Sequence, residues 1–79
     1  MEINIGQKIR EELERQGRSK VWFANAINRS NSTCYYLFKS KTIDTELLST
    51  ICEVLNYNFF KLYSDELNNA LSKKLEDSV

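Results

Sequence analysis

The stretch Ser19-Lys20-Val21-Trp22-Phe23-Ala24-Asn25-Ala26-Ile27-Asn28-Arg29-Ser30-Asn31-Ser32-Thr33-Cys34-Tyr35-Tyr36-Leu37-Phe38-Lys39 decides the architecture. Ser19 is a good N-cap, because its hydroxyl can accept from an N–H of the first helical turn. Val21, Phe23, Ala24 and Ile27 then form a short apolar stripe at helical spacing. Asn28 ends it as the best non-glycine residue for a left-handed position. Ser30 caps a following segment in which Cys34, Leu37 and Phe38 are the apolar i, i+3, i+4 set. Only Asn28-Arg29-Ser30 joins the two segments, and helices joined so tightly cross at a steep angle.

Working outward, Ile5, Ile9 and Leu13 recur every four residues among polar neighbours, which predicts a first amphipathic helix stopped by Gly17. After Ser40-Lys41-Thr42-Ile43, Asp44 or Thr45 caps a fourth helix carrying Leu47, Leu48, Ile51, Cys52, Val54 and Leu55. Asn56-Tyr57-Asn58 breaks the pattern, and Phe59, Phe60, Leu62 and Tyr63 make a short fifth helix. Beyond it, Leu67, Leu71 and Leu75 recur at four-residue intervals. The expected organisation is a compact all-α, five-helix domain over residues 1–64, and composition leaves 65–79 open between a sixth amphipathic helix and a flexible tail.

The chain has 79 residues, no His, no Pro and two Gly. A domain this small buries only about 60% of its unfolded surface, which leaves little material for a deep cleft. The missing His removes the commonest general base and metal ligand. With carboxylates scattered over polar helix faces and no glycine-rich loop, no catalytic constellation forms, so no enzyme activity, cofactor, metal or small-molecule ligand is expected. Cys34 and Cys52 are 18 apart with no third ligand, and read as small buried hydrophobes. Met1-Glu2-Ile3-Asn4 does not resemble a signal peptide, and no apolar run approaches the roughly 20 residues of a membrane span. A cytoplasmic protein without a membrane partner is the expectation.

Eleven basic residues balance eleven acidic ones, and at face value that neutrality argues against nucleic acid. The balance is a cancellation of unlike halves. Residues 1–41 hold eight basic and four acidic residues, a net +4; residues 42–79 hold three and seven, a net −4. From Arg15 to Lys41 there are six basic residues and no acid. Arg18 and Lys20 sit where a helix starts, and Arg29 precedes another start, places that the helix dipole disfavours for cations. Such placement points to an external polyanion. The acidic half is expected to face away from it.

From about Ile5 to Tyr63 the chain resembles the phage repressor and Cro-like helix-turn-helix family of transcription regulators, the XRE family. The likeness rests on Ile5-Gly6, Gly17, Ser19, the small Ala24, and the core set Phe23, Ile27, Cys34 and Leu37. It continues through the cap Ser30, the exit Lys39-Ser40-Lys41, then Leu48, Ile51, Leu55 and Phe60-Lys61-Leu62. The chain departs from the pattern at Asn28 and Ser40, where glycines are usual, and at Arg29, where an apolar residue is usual. At Ser40 a left-handed exit would be strained or reshaped.

The resemblance implies a lambda-repressor-like fold and double-stranded DNA as partner, with the third helix, about 31–39, in the major groove. It assigns base reading to Asn31, Ser32 and Tyr36, with Tyr35 nearby. The chemistry agrees: Asn can pair with adenine N6 and N7, Ser can reach a donor or an acceptor, and an aromatic ring can pack on a thymine methyl. Arg18, Lys20, Arg29, Lys39 and Lys41 are the phosphate candidates. Trp22 reads as a half-buried anchor outside the site. The fifth helix is the family's usual dimer surface, so Phe59, Phe60 and Tyr63 are expected to hold a weak homodimer on a palindromic operator. The competing expectation is a protein-interaction module, an antitoxin or adaptor, using the same fold without reading DNA.

Overall fold

The computed structural model describes residues 2–77. Five helices follow one another: α1 (Ile5–Gln16), α2 (Lys20–Ala26), α3 (Asn31–Lys39), α4 (Thr45–Leu55) and α5 (Phe60–Asp77). No strand occurs among the described residues, so the expected all-α, five-helix class is the observed one. None of these helices is long and apolar enough to cross a membrane.

Local chemistry sets the helix starts. Ser19 accepts from the Trp22 N–H at 3.0 Å, Ser30 from Thr33 at 3.1 Å and Asp44 from Leu47 at 2.9 Å. Each side chain satisfies a donor that has no partner inside the helix. Three helices end on a left-handed residue: Gly17 at φ 68°, Asn28 at 57° and Asn56 at 51°. After each, the N–H of the next residue reaches back into the helix, Arg18 to Leu13, Arg29 to Ala24 and Tyr57 to Cys52. This paired ending satisfies the last carbonyls. Asn28 therefore performs the glycine's part in the turn between α2 and α3.

Ser40 does not. Its backbone is extended (φ −77°, ψ 136°), so the left-handed exit is replaced rather than strained. The Ser40 hydroxyl donates to the Tyr36 carbonyl at 3.0 Å, and the Ser40 carbonyl accepts from the Gly6 N–H at 3.0 Å. Gly6 lies so close to α3 that an added Cβ would fall on the Leu37 carbonyl oxygen and 2.7 Å from that of Phe38. The first turn of α1 thereby fixes where α3 ends.

The core is largely the expected one, but Val21 of the expected second-helix stripe is exposed on α2. Ile5, Ile9 and Leu13 meet Phe23, Ala24, Ile27, Cys34 and Leu37, and Leu48, Ile51 and Leu55 close it from α4. Both cysteines are free; Cys34 is buried, and the half-buried Cys52 sulfur accepts from the Phe59 N–H at 3.3 Å. Phe38 turns its ring towards Phe23, 5.5 Å between centroids.

Two expectations about the C-terminal part change. The fifth and sixth segments are one helix, since α5 runs unbroken past Ser64 to Asp77. Ser78 and Val79 lie outside the described residues, as does the Leu75 side chain. Phe59 is not a surface residue: it precedes α5 and is 0% exposed, locked in the core. It has no area to offer a second copy. Phe60 and Tyr63 are half-buried, each with a remaining outer edge.

Candidate nucleic-acid interface

At 100° per residue, Cys34 and Leu37 point one way from α3 and Ser32, Tyr35, Tyr36 and Lys39 point the other, with Asn31 at the border beside Phe38. The two capped ends hold this orientation, with Ser30 at the start and the Gly6–Ser40 bond at the end. All four expected base-reading residues are exposed, spread over an arc of about 140° that starts at Asn31. Tyr36 is 69% exposed and Tyr35 55%, with ring centroids 5.6 Å apart edge to face. Their surroundings differ. Lys39 lies 4.3 Å over the Tyr35 ring and donates to its hydroxyl at 2.7 Å. Tyr36 has no such engagement and is the freer of the two.

The cations divide into two groups. On α1, Lys8 pairs with Glu11, Arg10 with Glu14 and Arg15 with Glu12. Arg15 therefore leaves the uncompensated set counted in the sequence. Among the described residues no ion pair involves Arg18, Lys20, Arg29, Lys39 or Lys41. All five are exposed. Arg18 lies over the half-buried Trp22 ring at 4.3 Å, which orients its guanidinium while leaving its charge unneutralised.

Separation from the acids is incomplete. Arg29 shares a hollow of about 500 Å³ with Asp44 and Glu46 at the start of α4. Arg29 is thus less segregated from acidic side chains, although it forms no ion pair with them. Asp44 is also committed to capping α4.

Glu12 is the structural feature that charge counting missed. It is buried in mid-helix, bonded by the Arg15 guanidinium, with the Arg15 Nε at 2.8 Å, and by the Gln16 amide at 2.6 Å. The same Gln16 amide donates to the Leu55 carbonyl at 2.8 Å, joining α1 to the end of α4. The Arg15 hydrogen bond holds the Glu12 carboxyl below its ordinary value, against the opposing effect of burial. On α3, burial pushes the Cys34 thiol up, partly offset by the Arg29 charge, so it stays protonated and packs as a hydrophobe. No group of three or more metal-ligating side chains gathers among the described residues.

No protein-family model, curated protein or solved structure matches this chain.

Proposed function

We propose that the chain binds double-stranded DNA sequence-specifically, as a small transcription regulator of the phage repressor and Cro-like helix-turn-helix type. The observation that carries this reading is the outer face of α3. Asn31, Ser32, Tyr35 and Tyr36 are exposed along it, with Lys39 over Tyr35 and with cations that form no ion pair among the described residues. Asn31 and Ser32 occupy the first turn, the part of a recognition helix that approaches base edges. Tyr36 would pack on a thymine methyl or reach a phosphate through its hydroxyl. Lys20, Arg18, Lys39 and Lys41 would clamp the backbone, with Arg29 a weaker contributor. One such helix reads only about four or five base pairs, so two copies on a palindrome are required for useful selectivity.

The test is Lys20→Glu combined with Lys41→Glu, two exposed changes that leave the core intact. Binding to a mixed-sequence duplex, followed by fluorescence anisotropy, is expected to fall below detection at 150 mM salt while the thermal transition stays put. Unchanged binding would overturn the assignment of Lys20 and Lys41 to phosphates; no binding by the wild-type chain would overturn the reading and favour a protein-interaction module.

A further inference from the structure

Tyr35 and Lys39 are joined at two points on the outer face of α3. The Lys39 ammonium lies 4.3 Å over the Tyr35 ring and donates to the Tyr35 hydroxyl at 2.7 Å. At 100° per residue the two fall about 40° and 80° round from Asn31, inside the exposed arc that Tyr36 closes. Their contact sets the polarity of the hydroxyl. An ammonium has three donors and no acceptor, so the Tyr35 O–H cannot return the bond and points elsewhere. One of the hydroxyl's two lone pairs is already taken. The pair therefore presents donors outward, and Lys39 forms no ion pair among the described residues.

We infer that the Tyr35–Lys39 pair reads guanine, with the Tyr35 hydroxyl as the donor and Lys39 as its positioning residue. Of the four bases only guanine shows two acceptors, N7 and O6, and no donor in the major groove. Adenine sets an amino donor beside its N7, and cytosine offers an amino donor alone. Either amino group would face the remaining N–H groups of the ammonium instead of an acceptor. Thymine sets a methyl beside its one acceptor, and that methyl would strip water from a charged group. Lys39 thereby acts on a base through Tyr35, beyond the backbone contact given to it above.

This assignment rests on the DNA-binding proposal and names a base that it leaves open. The full chain and its Tyr35→Phe variant are each used to select sites from random duplex DNA. Phe keeps the ring under Lys39 and removes the hydroxyl alone, at an exposed position, so thermal midpoints should agree. The wild-type chain is expected to select a half-site containing a guanine that Tyr35→Phe no longer requires. Replacing that guanine by adenine should weaken wild-type binding about tenfold and Tyr35→Phe binding by less than about threefold. Lys39→Met should lose the same preference, and Lys39→Arg, which still donates, should keep it. A merely structural part for Lys39 would lower affinity without moving that ratio. Equal guanine preference in wild type and Tyr35→Phe would overturn the inference. So would a Tyr35→Phe loss shared by every sequence, the mark of a phosphate contact. Selection of no sequence by the wild-type chain is a separate result, which overturns the DNA-binding proposal and this assignment with it.

Discussion

Gly6 marks the tightest approach between α1 and α3, with its N–H on the Ser40 carbonyl and no room for a Cβ. Backbone stands in the way, so neither side can yield cheaply. Gly6→Ala is expected to cost about 3 kcal/mol and to lower the midpoint of thermal unfolding by more than about 10 °C. Urea denaturation with an unchanged midpoint would contradict this packing. Glu12 gives a pH dependence. Its folded carboxyl titrates below the ordinary Glu value of about 4.3. Its stabilising contribution is therefore complete above that value and lost as pH falls through the lower folded one. Thermal unfolding from pH 6 to pH 2.5 should show a steeper acid loss in the wild-type chain than in Glu12→Gln. At the α3 face, Asn31→Ala should remove preference at one base position, by about 1–3 kcal/mol, while Lys41→Ala weakens all sequences alike.

At the scale of elements, helix boundaries were legible because their causes are local. Ser19, Ser30 and Asp44 each act on an N–H three residues on, and Gly17 and Asn28 act through their own φ. Asn28→Gly should be nearly neutral and Asn28→Ala should cost about 1 kcal/mol, read from urea midpoints. What reading failed to see depends on distant partners. The place of Gly6 is decided by Leu37, Phe38 and Ser40, more than thirty positions on. Phe59 lies between two turns, where no periodicity tells inside from outside; only packing shows it buried. Arg15 was countable as uncompensated, although Glu12 stands at i−3, a spacing at which ion pairs form on a helix. The single α5 also escaped reading, because the apolar spacing of Leu67, Leu71 and Leu75 left a separate sixth helix and a tail both open, whereas one helix runs through to Asp77. Since Ser64–Lys74 touches no core, a chain ending after residue 66 should unfold within a few degrees of the full one.

For the molecule as a whole, neutrality conceals an arrangement of charge. The carboxylates of α1 are largely met by cations on the same helix, and five cations between Arg18 and Lys41 form no ion pair among the described residues. The all-α class and most of the core were legible from periodicity. The exposed α3 face was legible because a helix buries one side only, so Cys34 and Leu37 define where Ser32 and Tyr36 must point. The measurement that tests DNA reading most directly is selection of binding sites from random duplex DNA at two salt concentrations. Enrichment of a two-fold symmetric sequence is expected, with affinity falling as salt rises at a logarithmic slope of about −5 to −7 for two copies. Recovery of no preferred sequence, with retention insensitive to salt, would contradict it.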